Sequence, residues 1–359
     1  MLTGKIPGYI KTVYISLLII IIVFFMIMAK QILVPLLISG YIAMLLIPLC
    51  DRLEHKKIPR SISAFIALFL FIILIGGVLT LIFFQFSGFM SDLEANAISN
   101  LNRFAADINN SVQGFSGFDM GFSRGIDSAK LLALIESDDS RPDLLFVTIG
   151  TLSSMILVPV FIFFLLIYRD HLSVFVTKVF EKQKNRDLLK HIKSIRLIVH
   201  AYIAGAGKVM LILGIVNTAV LLLLGIKHAI FFGMVAGLLN IIPYLGPMIG
   251  AIMPFLFALI TKDSLFYPMA VVVSFTIIQF LEGTFLTPKI TGSNVNLNAF
   301  VTFVGLLIGG AIWGIMGMIL IIPTIAILKR LFELSPDTEP YAFLFGAEDS
   351  RWFKRVKRS

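Results

Sequence analysis

Glu282 is the one carboxylate set well inside an apolar stretch of this chain, with Gln279 one helical turn before it and Thr284 and Thr287 after it. An acid at that depth marks a solute, ion or proton path by default, because burying its charge in hydrocarbon is costly. Lys289 lies on the same helical face, which leaves a structural ion pair as the alternative. A second stretch, Asn240-Ile241-Ile242-Pro243-Tyr244-Leu245-Gly246-Pro247-Met248-Ile249-Gly250, gathers helix breakers inside another apolar run. A free N–H or C=O in hydrocarbon costs several kcal/mol unless it is buried in protein or lines a wet cavity. Pro243 takes a donor out of the helical ladder, so the carbonyls of Leu239 and Asn240 become candidates to hold a cation or polar ligand. The competing reading is a simple kink that lets helices pack closely, with Asn240 bonded to a neighbouring backbone. On either view, replacing Pro243 and Pro247 by Ala is expected to restore a continuous helix.

The elements that position these residues belong to a bilayer. Hydrophobic residues make up 58% of the 359 residues and charged ones 14%, against about 25% charged in soluble domains; mean hydropathy is +0.96. Stretches long enough to span, roughly 17 to 25 residues, lie at 13–29, 32–49, 61–86, 144–168, 201–226, 230–260, 264–287 and 299–328. The expected fold is therefore all-α, a polytopic integral membrane protein with about eight membrane elements. Lys5 and Lys11 precede the first element, but no small-residue cleavage site follows and another apolar segment begins at once, so it reads as a retained helix rather than a signal peptide.

Lys and Arg in the loops set the expected orientation. Arg52, Lys56, Lys57 and Arg60 in one loop, and Arg169, Lys178, Lys182, Lys184, Arg186, Lys190, Lys193 and Arg196 in another, place both on the cytoplasmic side. The 87–143 segment has four basic residues against nine acids and reads as external, while Lys329, Arg330 and the Arg351–Arg358 cluster return the tail to the cytoplasm. The net charge of +9 is thus mostly topology, and no folded basic domain is present to bind nucleic acid.

Two polar insertions interrupt the pattern. Leu93, Ala97, Leu101, Phe104, Ile108 and Val112 form one helical stripe in the external insertion, followed by a Gly/Ser/Phe-rich loop at Gly114–Gly125 and a short helix at Ser128–Glu136 with Asp127 as N-cap. The segment is too short for an independent catalytic domain; it caps the external mouth or packs on a neighbour. Leu188, Ile192, Ile195, Val199 and Tyr202 make an amphipathic cytoplasmic helix that runs straight into the fifth element, its basic face suited to anionic lipid headgroups. Lys208 reads as a snorkelling residue and Asn217 as a helix-contact residue. Cys50 is the single cysteine and reads as a small buried apolar residue, and His171, His191 and His200 lack partners at metal-ligand spacing. No P-loop, HExxH or CxxC sequence occurs, so neither ATP-driven transport nor enzyme chemistry has local support, and no cofactor or metal is expected.

The last third is rich in Gly and Pro. The 230–260 and 299–328 elements would each reach roughly 45 Å as continuous helices, across a hydrocarbon core of about 30 Å. Each is a kinked span or a re-entrant hairpin turning at its Gly/Pro-rich centre. The tail stays cytoplasmic only if both elements share one type, so the two are expected to match. Interrupted segments of this kind point to transporter binding sites. The resulting division is a three-helix membrane part at 1–86, an extracytoplasmic helical insertion at 87–143, a fourth membrane helix with cytoplasmic helices at 144–200, a transport core at 201–332 and a basic cytoplasmic tail at 333–359.

Three motifs stand together in this region: Gly233-x3-Gly237-Leu238-Leu239-Asn240-Ile241-Ile242-Pro243-Tyr244-Leu245-Gly246-Pro247-x2-Gly250; Gln279-x2-Glu282-x4-Leu286-Thr287-Pro288-Lys289-Ile290-x-Gly292; and Gly309-Gly310-x3-Gly314-x2-Gly317 with Pro323. In combination they resemble the autoinducer-2 exporter family, also called PerM-like permeases, and the resemblance covers the whole chain. It implies transport of the furanone signal autoinducer-2 or sodium/proton antiport, and a homo-oligomer, a pentamer. Where family sequences often carry Pro or another residue after the Lys-Ile-x-Gly motif, this chain has Val295-Asn296-Leu297-Asn298, a polar turn.

The expected function is secondary transport or export of a small polar solute across the bacterial inner membrane, coupled to protons or to a cation such as Na+, with both termini cytoplasmic and membrane lipids as partners. Asn240, Pro243, Tyr244, Gly246, Pro247, Gly250, Gln279, Glu282, Thr287, Pro288, Lys289, Gly309 and Gly310 are the expected binding or gating residues. The alternatives are a cation/proton antiporter and a non-transporting membrane scaffold working through its external stripe and cytoplasmic helix.

Overall fold

The computed structural model describes residues 8–116, 156–180, 188–262, 264–291, 297–333 and 338–346. The expected helix at Ser128–Glu136, most of the preceding loop, residues 144–155, the Val295-Asn296 pair and the end of the tail lie outside them. The described residues are helical almost throughout and form no strand, apart from one isolated bridge between Leu297 and Gly346. In chain order the helices are α1 (Gly8–Met28), α2 (Lys30–His55), α3 (Arg60–Ser116), α4 (Ile156–Ile167), α5 (Arg169–Phe180), α6 (Leu188–Leu223), α7 (Ala229–Leu239), α8 (Leu245–Thr261), α9 (Phe266–Leu281), α10 (Thr287–Thr291), α11 (Ala299–Phe332) and α12 (Glu339–Phe345).

Among the described residues, five helices are long and apolar enough to cross a membrane, six if α4 and α5, bent by 69°, count as one span. The apolar parts of α1, α7 and α8 are shorter. The third apolar stretch and the stripe at Leu93–Val112 are one helix: no proline interrupts α3, which at 1.5 Å per residue runs about 85 Å. The amphipathic helix expected from Leu188 to Tyr202 continues into the fifth element as α6.

The chain forms two compact units. The first gathers the described parts of Met1–Leu68, Gly150–Ile203 and Ser293–Ser359. Tyr41, Val199 and Leu320 are its buried centre, and polar groups inside it are bonded: the Tyr41 and Thr324 hydroxyls lie 2.7 Å apart, Ser39 Oγ donates to Pro35 O and Val158 O, and Trp313 Nε1 donates to Met26 O at 2.9 Å. Cys50 is fully buried. Asn298, from the polar turn, caps α11 by accepting from Phe300 N at 2.9 Å.

α11 is a hairpin. A Cβ on Gly309 would lie 2.6 Å from Gly317 O, and one on Gly305 would lie 2.5 Å from Ile325 Cδ1; in a straight helix residues 305 and 325 stand about 30 Å apart. The reversal occurs at Trp313 and Gly314, where Gly314 takes φ 62° and ψ −143°, a region open essentially to glycine alone.

The second unit gathers the described parts of Phe69–Ile149 and Ala204–Gly292. Its core holds Leu221, Ile226, Phe231, Phe232, Phe257, Val271 and Phe275, with Phe89 stacked on Phe231 at 5.4 Å. α7 and α8 make a second hairpin: a Cβ on Gly250 would lie 2.9 Å from Ala236 Cα, and one on Gly246 would lie 1.8 Å from Leu239 O. On its other face α7 presses Gly233 and Gly237 against Thr218 and Gly214 of α6, small residues letting two backbones approach.

Candidate functional site

The Asn240–Gly250 break closes in a tight turn. Tyr244 takes φ 66° and ψ −53°, and Leu245 N donates to Pro243 O at 2.8 Å. That is a γ-turn of the rare positive-φ kind, strained by about 1–3 kcal/mol for a residue with a side chain. Pro243 supplies a fixed φ and an acceptor before the turn. Pro247 sits in the first turn of α8, where a missing N–H leaves no helical bond unmade. Gly246 is needed because its Cα side rests on Leu239 O.

This geometry corrects two expectations. Leu239 O accepts from Ile242 N at 2.9 Å and lies under Gly246, so it is not open to a ligand. Ala at Pro243 and Pro247 would not restore a continuous helix either, since the chain reverses here and the interlocked glycines hold it.

Beside the hairpin lies a cavity of about 510 Å³. α6 lends it Leu213 and Asn217; α7 and the turn lend Ala236, Asn240 and Tyr244; α8 lends Pro247, Met248 and Ala251; α9 lends Val272, Phe275, Thr276, Ile278, Gln279 and Phe280. Five polar side chains thus meet on an apolar wall, and no carboxylate, ammonium or guanidinium is among the described lining residues. Asn217 is only 5% exposed and its Oδ1 has no hydrogen-bond partner. Thr276 spends its hydroxyl proton on Val272 O at 2.7 Å.

Glu282 is not on the cavity wall. It opens a π-helical turn, Glu282–Leu286, in which Thr287 N–H reaches back five residues to Glu282 O. Pro288 follows at once and cannot donate to the preceding turn, so the wider π geometry absorbs the missing bond. The carboxylate accepts from Gln279 Nε2 at 2.9 Å through Oε2 and from Thr287 Oγ1 through Oε1. A carboxylate oxygen demands a donor, which fixes the Gln279 amide nitrogen toward Glu282. Glu282 therefore reaches the cavity through Gln279. Lys289 is exposed and makes no ion pair with Glu282.

Among the expected site residues, Asn240, Tyr244, Pro247 and Gln279 line the cavity; Pro243, Gly246 and Gly250 build the hairpin beside it; Glu282, Thr287 and Pro288 shape the turn behind Gln279. Gly309 and Gly310 belong to the first unit, where they seat the arms of α11 against Gly317 and Met318. Sequence reasoning passed over Thr276 and treated Asn217 as a helix-contact residue; its signal was an amide in an apolar run, but its place on the wall depends on how α6 packs. Gly121-Phe122-Ser123-Arg124-Gly125 spells G-x-S-x-G and lies outside the described residues.

A cavity with polar groups on an apolar wall beside a broken hairpin fits a membrane carrier, and comparison with known proteins places the chain among transporters. The AI-2E family transporter model matches residues 15–337. The chain belongs to the AI-2E transporter family. Similar proteins include YrrI of Bacillus subtilis, 28% identical over 317 residues covering 85% of this chain and 87% of that one. The AI-2 transport protein TqsA of Escherichia coli is 25% identical over 327 residues, covering 89% and 90%. As an AI-2E transporter with several membrane-capable helices, the chain is a multi-pass membrane protein.

Proposed function

We propose that this AI-2E transporter carries a small, uncharged polar solute across the bacterial inner membrane by secondary transport or export, with the α6–α9 cavity as its solute site. The observation that carries the reading is the wall itself: Asn217, Asn240, Tyr244, Thr276 and Gln279 converge on one apolar cavity that has no charged side chain among its described lining residues. The buried Asn217 Oδ1 costs free energy while it lacks a donor, and a solute bearing hydroxyls offsets that cost. Similarity to TqsA supports an autoinducer-2-like solute. The loop charges support cytoplasmic termini, and the family resemblance a pentamer. Glu282 binds the coupling proton or cation and transmits its state through Gln279.

Flux into proteoliposomes over a panel of neutral polar solutes tests the site. Asn240→Leu and Gln279→Leu are expected to abolish most transport while the protein stays folded; wild-type flux in both removes the cavity from the path. Glu282→Gln is expected to uncouple transport from the proton or cation gradient, and unchanged coupling would strip Glu282 of that role. A second reading, cation/proton antiport, is favoured by the carboxylate in an apolar helix. It requires a sodium gradient to drive proton movement in vesicles holding this protein alone.

A further inference from the structure

The first unit holds a second cavity, of about 390 Å³, that shares no lining residue with the proposed solute site. Its wall is apolar, built from α2, α4, α5, α6 and α11, with Gly40, Met44, Ile47, Leu165 and Leu331 among its residues. Two guanidiniums, Arg169 and Arg196, also line it, and no carboxylate does among the described lining residues.

Arg169 is the unusual member. Its side chain is 7% exposed, and Nη2 pairs with Asp51 Oδ1 at 2.9 Å and Glu54 Oε2 at 2.7 Å. Those two acids discharge one end of the guanidinium. The other end, Nη1, is buried without an acceptor. A guanidinium is built to give two parallel bonds, and leaving one of its N–H groups buried and unpaired is costly. Arg196, half-buried on the same cavity, adds a second positive charge.

The place in the fold agrees with the chemistry. Arg169 stands where the chain turns by 69° from the apolar α4 into α5, which carries Asp170, His171 and Lys178, so the cavity joins hydrocarbon-facing helix to charged helix. An occupant matching these features has an anionic head with several acceptor oxygens and a hydrocarbon tail. We infer that this cavity seats one anionic membrane phospholipid, its phosphate oxygens accepting from Arg169 and Arg196 and one acyl chain lying along the groove of α2 and α11. Basic pockets between membrane helices bind lipid head groups by this chemistry. The lipid clamps α2, α5, α6 and α11 to each other from the groove they share.

Native mass spectrometry of the full chain in detergent, titrated with phosphatidylglycerol or phosphatidylcholine, tests the seat. One phosphatidylglycerol per chain is expected to bind at least about fivefold more tightly than phosphatidylcholine. Arg196→Gln is expected to lower that affinity about fivefold, the effect of one basic residue near a charged headgroup. Arg169→Gln risks the fold, because Asp51 and Glu54 would lose their partner, so Gly40→Leu serves as the second variant. A Cβ at Gly40 meets nothing within 4 Å, and a leucine there fills the groove while both arginines stay. It is expected to lose the lipid, with a melting temperature in lipid-free detergent equal to that of the wild type and without the rise that phosphatidylglycerol gives the wild type. Arg52, exposed and off the cavity, is the control, and Arg52→Gln should bind normally. Equal losses in Arg52→Gln and Arg196→Gln would mean diffuse surface attraction and overturn the seat. So would full binding by Gly40→Leu, or displacement of the lipid by millimolar inorganic phosphate, which would make the site one for a free anion.

Discussion

The two hairpins reverse the chain by opposite means. In α11 the reversal falls on Gly314, whose φ of 62° suits a residue without Cβ, and the arms then meet glycine against glycine at Gly309 and Gly317. In α7–α8 the reversal falls on Tyr244, at a similar positive φ of 66° but in a residue that carries a side chain and is 62% exposed. The first turn takes the relaxed solution. The second stores strain beside a cavity lined by Asn240 and Gln279. Strained residues persist where surrounding structure over-determines them, and they gather at binding and switching sites. On the solute site proposed above, the contrast separates a packing hairpin from a working one.

The largest effects should come from the closest approaches, which both hairpins share. A Cβ at Gly246 would lie 1.8 Å from Leu239 O, and one at Gly317 would lie 1.9 Å from Gly309 O. Backbone atoms block both, so neither clash resolves by a rotamer change. Gly246→Val and Gly317→Val are expected to abolish monodisperse, helical protein on size exclusion and circular dichroism. A well-folded Gly246→Val would show that the arms of α7 and α8 are not locked.

Next come substitutions that should divide the two regions. Gln279→Leu and Asn240→Leu are expected to cut solute flux tenfold or more, since each removes hydrogen-bond capacity of about 0.5–1.5 kcal/mol and adds bulk to the cavity, with a melting temperature near wild type. Gly310→Leu, on the packing hairpin, is expected to do the reverse: the flexible tip of Met318 can step aside for a Cβ, but a whole leucine displaces that side chain from between the arms of α11, so stability falls modestly while the intrinsic solute preference stays. Loss of preference in Gly310→Leu, or wild-type flux in Gln279→Leu, would erase the division.

Much of this was legible in the chain, and the rest fails for identifiable reasons. The apolar stretches gave the helices, and the run from Asn240 to Gly250 gave the break. The reversal stood only as one of two readings, kinked span or re-entrant hairpin, because Pro and Gly permit both. A clue was present in the spacing: Gly309 and Gly317 stand symmetrically about Trp313, and Ala236 and Gly250 about Pro243, as arms that must touch across a turn require. The extent of α3 was misjudged because a change from apolar to mixed composition after residue 86 looked like a boundary, yet no proline ends the helix there. Asn217 and Thr276 reach the cavity only through packing of α6 and α9. No spacing within one helix reports that. Glu282 was found by its rarity, but its indirect link through Gln279 depends on the π turn before Pro288.

The smallest effect tests the strain directly, and its sign differs between the turns. Gly314→Ala places a Cβ where φ is 62° and ψ −143° and is expected to destabilise by about 1–3 kcal/mol. Tyr244→Gly relieves a comparable strain but loosens the unfolded chain by about 0.5–1 kcal/mol, so a net gain of about 1 kcal/mol or less is expected in thermal unfolding. Flux should fall in the same variant, because the ring leaves the cavity wall and the turn no longer favours a single geometry. A glycine at 244 that lowers stability would mean the ring's own contacts outweigh its backbone cost. The tyrosine would then be held for packing, as the glycines of α11 are, and the strain at the turn would have no part in moving the solute.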